Sequence, residues 1–347
     1  MSARAGGAGP ASRVDVGRMI DEGDWSGYQK WIVLLVALTI VFDGIDNQLL
    51  GVVIPTLMGE WSVPRAAFAP VASLGYLGMM IGGAIAGLAG DRLGRRTALL
   101  GSVVLFGIMT VVAVLAASPM QLGILRGLAG IGLGGAMPNA AALAAEVVPL
   151  RNRPIAVTVT IVCVPLGATL AGLLGIRVLP LLGWRVLFIL GGVVPIVAAL
   201  LMTLALPESP RFLAKVPRRW PELSRTLRRM GHQVPADATF ADATERAVAK
   251  ASVKTLFTPE FRADTLPLWT AFFSCLLAVY LGFSWLTSLL TGAGFAPGTA
   301  NTGITAFNLG GVVGALCGGW AMARFGSPAP NSDTRGRPAH TSSSARR

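Results

Sequence analysis

The run Gly87-Leu88-Ala89-Gly90-Asp91-Arg92-Leu93-Gly94-Arg95-Arg96 lies between two long apolar stretches. Its four charges sit among glycines at a reversal, and each flank approaches the roughly 20 apolar residues needed to cross hydrocarbon. A water-soluble fold has little use for that arrangement. A membrane protein uses it where two spanning helices turn round on a face bathed in water. The whole chain agrees: of 347 residues, 53% are hydrophobic and only 13% charged, with a mean hydropathy of +0.63. Soluble domains carry about 25% charged residues, so the composition is that of an integral membrane protein.

About eight stretches satisfy the span-length criterion. They run near Trp31–Met58, Ala66–Ala89, Thr97–Ala117, Met120–Val148, Ile155–Leu179, Trp184–Leu206, Leu266–Thr291 and Gly298–Ala323. Glycines within them suit close helix contacts, because small residues let backbones approach where lipid supplies no hydrophobic drive. With the N-terminus in the cytoplasm, the inner loops hold Arg92, Arg95, Arg96, Arg151, Arg153 and the basic loop after Leu206. Of 29 Lys and Arg residues only Arg65, Arg126, Arg177 and Arg185 then fall elsewhere. The positive-inside rule therefore places the N-terminus inside, in a multi-pass protein of the inner membrane. The net charge of +12 follows from those loops and is not a nucleic-acid footprint, since no aromatic stacking platform accompanies it. The expected organisation is a cytoplasmic segment over 1–30, a six-helix bundle over 31–206, a basic linker over 207–265 lying against anionic headgroups, a partial second bundle over 266–326, and a polar tail over 327–347. The segment 1–30 has no apolar core or cleavage site of a secretory signal. Cys163, Cys275 and Cys317 fall inside apolar runs without metal-ligand spacing, and His232 and His340 form no cluster.

The quoted run, G-x-x-x-D-R-x-G-R-R, resembles the signature loop of the major facilitator superfamily of secondary transporters. An internal repeat points the same way. Leu77, Gly78, Gly82, Gly87, Arg92 and Gly94 recur in register as Leu309, Gly310, Gly314, Gly319, Arg324 and Gly326, which makes two related bundles in one chain. Asp91 is the departure, meeting Ala323. The resemblance implies an all-α membrane protein with the major facilitator fold: a complete N-terminal six-helix bundle and about two helices of the second bundle. A full member has six in each half, so the expectation is a chain shortened by truncation or frameshift.

Charges inside the spans are the candidates for function. The first span holds Phe42-Asp43-Gly44-Ile45-Asp46-Asn47-Gln48. An ionised Asp near mid-bilayer costs about 2.5–3.5 kcal/mol on insertion scales, and the i, i+3 spacing puts both carboxylates on one helix face. A carboxyl that is neutral in one state and charged in another is what proton coupling needs. The fourth span contains Arg126-Gly127-Leu128-Ala129-Gly130 and carries the available cation. A guanidinium suits a carboxylate, either a substrate anion or Asp43 or Asp46; a purely structural ion pair is the alternative. Glu146, at the far end of that span, is expected in an inner-face ion pair with Arg151, or with Arg92 or Arg95.

The D-G-x-D pattern of the first span, Gly-Leu-Gly-Gly-Ala-Met-Pro-Asn ending at Asn139, and Pro207-Glu208-Ser209 are similar to the aromatic acid:proton symporter family within the superfamily. That resemblance covers about Lys30 to Gly326. It implies proton-coupled uptake of a benzoate-like or hydroxybenzoate-like acid by alternating access. By it, Asp43 and Asp46 serve proton coupling, Arg126 binds substrate, and Gly87, Asp91, Arg92, Gly94, Arg95 and Arg96 form the gating loop. Drug:proton antiporters of the superfamily usually carry G-x-x-x-G-P-x-x-G-G in the fifth span, where this chain has Val164-Pro165-Leu166-Gly167. No cofactor or metal is expected, and the coupling ion is the proton. The expected partners are a small organic anion and the lipid bilayer, not nucleic acid. No hydrolase triad or nucleotide loop appears, so an enzyme is not expected. A non-transporting remnant, a facilitator for sugars or other organic acids, and a membrane sensor using the basic loop stand as alternatives.

Overall fold

A computed structural model describes residues 13–235, 238–242 and 257–325. The tail expected over 327–347 and the linker stretch 243–256 lie outside the described residues. The chain opens with strand β1 (Arg13–Asp15) and a short helix α1 (Val16–Asp21). Then come the long helices α2 (Gly27–Trp61), α3 (Ala69–Leu93), α4 (Arg95–Val112), α5 (Pro119–Val147) and α6 (Arg153–Ala205). Short pieces follow: α7 (Pro210–Ala214), α8 (Trp220–Arg229) and strand β2 (Thr239–Ala241). Two further long helices close the described chain, α9 (Pro259–Gly292) and α10 (Pro297–Phe325).

Six described helices are long and apolar enough to cross a membrane, with mean hydropathy from 1.3 to 2.6. Their outward faces carry large apolar side chains such as Leu115, Leu181 and Leu204, the last 89% exposed. Such a surface is costly in water and ordinary in lipid. α6 has 53 residues, more than a single span requires, and breaks at Gly183, where φ is 77° and ψ 173°. The fifth and sixth spans expected as separate segments are the two helices, 153–182 and 184–205, that meet at this non-helical residue. Only glycine takes that positive φ at little cost.

Helix starts follow local chemistry. Ser26 accepts from the Gln29 amide while Gln29 reaches back to the Ser26 amide at 2.7 Å, a reciprocal cap that fixes where α2 begins. Ser118 caps α5 in the simpler way. Packing within the first bundle rests on α3 against α5. A Cβ on Gly78 or Gly82 would overlap the backbone of Gly127 or Ile131, and one on Gly130 or Gly134 would overlap Gly75 or Met79. The two helices meet backbone to backbone, as small-residue interfaces in lipid allow.

One element was not expected of an all-α chain. β1 and β2 pair in parallel, Arg13 opposite Thr239 and Asp15 opposite Ala241, and so tie the N-terminal segment to the linker. Asp21 reinforces the tie by binding both Arg153 and Arg211, and Arg211 also reaches Asp242 at 3.3 Å. Three-residue strands leave little trace in a sequence, because neither has room to show a period of two.

Candidate functional site

Asp46 lies near the midpoint of α2 and is fully buried, and Asp43 is 5% exposed one turn earlier. Arg126, near the start of α5, is equally buried and points at this turn. Its Nη1 donates to Asp46 Oδ2 at 2.9 Å and its Nη2 to the Asp46 main-chain carbonyl at 3.2 Å. The Thr110 hydroxyl of α4 donates to the other carboxylate oxygen, Oδ1. Both oxygens of Asp46 are thus engaged, one of them by a charge. Asp43 differs: its Oδ1 finds no hydrogen-bond partner among the described residues. The two carboxylates expected to share one role therefore occupy unlike environments.

A pocket opens beside this pair, lined by Asn47 of α2, Tyr76 and Met79 of α3, Arg126 and Gly130 of α5, and Ser284 of α9. It leaves about 20 Å³ for the centres of water molecules, which is room for about one. Neutral polar side chains cross it from bundle to bundle. The hydroxyls of Tyr76 and Ser284 are hydrogen-bonded, and Tyr76 also donates to the Tyr280 carbonyl at 3.2 Å. Gln48 donates to the Phe283 carbonyl at 2.9 Å and accepts from Asn308 of α10 at 3.1 Å. Arg65, just before α3, donates to the Ser288 carbonyl, and a Cβ on Gly292 would overlap its guanidinium. The Tyr280–Ser288 stretch of α9 is thereby strapped to the first bundle. At the other end of α9, Leu266, Leu268, Phe272 and Phe273 are at least half exposed.

The charged run that decides the fold is mostly helical. α3 continues through Leu93, α4 starts at Arg95, and Gly94 alone (φ 104°) makes the reversal. Gly87 lies within α3 with nothing close to its α-carbon face. Asp91 pairs with Arg95 at 2.6 Å, and Arg92 is exposed. Arg95 also binds Glu146 at 3.2 Å, and the second Glu146 oxygen accepts from the Ser209 hydroxyl. This corrects the expected pair of Glu146 with Arg151. Arg151 sits past the end of α5 and pairs instead with Asp24 at 2.9 Å, both side chains largely exposed, while Arg95 projects from the turn straight onto Glu146. Arg96 donates to the Thr203 carbonyl through its side chain.

Glu208 is the polar residue that sequence reasoning passed over. It is fully buried and accepts from the Arg96 amide at 2.9 Å, the Ser209 amide at 3.0 Å and the Thr97 hydroxyl at 3.4 Å. It caps the first turn of α4, where unpaired amides and the helix dipole favour a carboxylate. Its carboxylate presses so closely on Gly94 that any Cβ there would overlap it. The signal was present in Pro207-Glu208-Ser209, a carboxylate at the end of a span beside an arginine-rich reversal. Among the described residues no group of three His, Cys, Asp or Glu side chains gathers to hold a metal.

Long apolar helices closed around a buried carboxylate–guanidinium pair, with a second set of helices strapped across the pocket, define a polytopic membrane protein of transporter architecture. The Major Facilitator Superfamily profile matches residues 36–331, and the chain belongs to that family. It is 37% identical to the gallate transporter of Pseudomonas putida, over 90% of this chain and 69% of that one. It is 36% identical to the 4-hydroxybenzoate transporter PcaK of Pseudomonas putida, over 90% and 70%. Its fold is similar to that of the xylose transporter XylE from E. coli in a partially occluded inward open conformation, with a TM-score of 0.66 at 18% identity, covering 86% of this chain and 72% of that one. The chain is thus a membrane transporter by family and not an enzyme.

Proposed function

We propose that this chain carries an aromatic carboxylate of the benzoate or hydroxybenzoate class, together with protons, by alternating access of its two bundles. The observation that carries this reading is the buried Arg126–Asp46 pair at the pocket between them. The likeness to carriers of gallate and 4-hydroxybenzoate supplies the substrate class.

The coupling follows from charge accounting. Arg126 holds one carboxylate, and a substrate anion competes with Asp46 for it. Removing one partner from a buried pair costs about 3–5 kcal/mol, because the other charge is left uncompensated. A proton on Asp46 without substrate strands Arg126. Substrate without a proton sets two anions on one cation, with Asp43 a turn away. Only the joint arrival of proton and anion keeps the site neutral. Asp43, without a cation of its own, is the second proton-coupling group, since an unpartnered buried carboxyl is far costlier charged than neutral. The pocket is too small here for an aromatic ring, so entry requires the bundles to separate.

The distribution of Lys and Arg supports an N-terminus in the cytoplasm and residence in the inner membrane. In that orientation Asp91, Arg92, Gly94, Arg95 and Arg96, with Gly87 preceding them and Glu146 and Glu208 behind, form a cytoplasmic gate. Arg151 is a surface contact beside it. The division into a bundle over 31–206, a linker over 207–265 and helices of a second bundle over 266–326 belongs to the same reading, with no cofactor beyond the proton.

Uptake of labelled 4-hydroxybenzoate in a transport-deficient host tests this. Accumulation should rise with an inward proton gradient, collapse with a protonophore, and fall at least about tenfold in Asp43→Asn and in Asp46→Asn. Accumulation that ignores both substitutions would overturn the coupling, and none at all would leave a non-transporting chain.

A further inference from the structure

The pocket beside Arg126 also has uncharged polar groups in its wall. Tyr76 comes to it from the first bundle and Ser284 from the second, and both are lining residues. Their hydroxyls are hydrogen-bonded, and Ser284 is 5% exposed. Each hydroxyl has one hydrogen to give. Tyr76 spends its own on the Tyr280 carbonyl at 3.2 Å, so Ser284 donates to Tyr76. The lone pairs of Ser284 Oγ then remain unused at the pocket wall. An aromatic wall adjoins it: the Tyr76 and Tyr280 rings lie 4.8 Å apart at 60°.

We infer that Tyr76 and Ser284 are specificity-determining residues that receive a ring hydroxyl of the substrate, with Ser284 Oγ as acceptor, while Arg126 holds the carboxylate. The inference rests on the aromatic-acid reading above and deepens it. It also sets how selective the site is. Sites that leave buried polar groups unpaired when a hydroxyl is missing reject the poorer ligand by about 10⁴-fold or more. Here Tyr76 and Ser284 satisfy each other, so an unsubstituted ring strands nothing. The preference reduces to one net hydrogen bond, or about tenfold. The site takes both kinds of acid and favours the hydroxylated one. Because the two hydroxyls belong to different bundles, the bound ring hydroxyl also sits on the seam that must open.

The test is calorimetric binding of 4-hydroxybenzoate and of benzoate to the full chain in lipid nanodiscs. The unaltered chain should bind 4-hydroxybenzoate about tenfold more tightly. Ser284→Ala should bring that ratio to within about twofold of one by weakening 4-hydroxybenzoate alone, while Ser284→Thr and Tyr76→Phe, which keep the acceptor, should retain the preference. Two bound ligands with an unaltered ratio in Ser284→Ala would overturn the inference and leave the aromatic-acid reading standing. Equal loss of both ligands in Ser284→Ala would overturn it in favour of a structural role. Failure of the unaltered chain to bind either acid would overturn both.

Discussion

Arg126 is the residue on which the site turns, and its geometry is not that of a point charge. One arm holds the Asp46 carboxylate and the other its main-chain carbonyl, so the guanidinium clamps a turn of α2 as well as a charge. Lysine cannot reproduce that fork. Arg126→Lys should keep the chain folded, by circular dichroism, yet weaken 4-hydroxybenzoate binding by about tenfold or more. Asp46→Asn and Asp43→Asn should also separate. Asp46→Asn frees the cation and should tighten the anion while abolishing its pH dependence. Asp43→Asn leaves the cation paired and should change affinity little while lowering proton-driven uptake. Calorimetry at two pH values beside uptake distinguishes them, and identical behaviour in both assays would count against separate roles. Asp43, Asp46 and Arg126 were legible in the sequence because charges in hydrocarbon-length runs stand out. Thr110, Tyr76, Gln48 and Ser284 were not. Neutral polar residues are unremarkable in spans, and which of them meet depends on helix rotation that no spacing encodes.

Among the helices, α3 and α5 set the frame. Their facing glycines bring the backbones into contact and so set how α5, and Arg126 with it, stands beside α2 and α3. Gly78→Leu should therefore cost several kcal/mol through overlap with the Gly127 backbone, seen as loss of a monodisperse, thermally cooperative protein in detergent. The α3–α4 reversal offers a milder test. Glu208→Ala removes a buried cap from the first turn of α4, worth about 1–3 kcal/mol, and should lower the melting temperature, with Glu208→Gln recovering part of the loss. Most helix positions were readable from runs of apolar residues. The Gly183 break was legible as the gap between the fifth and sixth expected spans. The β1–β2 pair and the Arg95–Glu146 partnership required the third dimension: partners far apart in the chain are chosen by packing.

At the scale of the whole molecule, and among the described residues, the polar ties from the first bundle to α9 lie at one end of that helix. Arg65, Tyr76 and Gln48 each donate to a main-chain carbonyl between Tyr280 and Ser288 of α9. α9 is exposed towards its Pro259 end. With Cys163, Cys275 and Cys317 replaced by serine, a single cysteine at Val52, in the crevice with Thr287 and Asn301, should react slowly with an impermeant maleimide and several-fold faster when Arg65→Ala is added; unchanged labelling would mean that Arg65 does not hold that crevice shut. The bundle plan itself was legible from the repeat of Leu77, Gly78 and Gly82 in Leu309, Gly310 and Gly314. Which end of α9 is tied to the first bundle was not, because that is set by packing between residues far apart in the chain. The measurement that bears most directly on the account is the proton exchange accompanying 4-hydroxybenzoate binding, from calorimetry of the full chain in buffers of different ionisation enthalpy. Net proton uptake with the ligand, lost in Asp46→Asn, is the predicted result; binding that takes up no proton, or uptake that persists in that variant, would contradict it.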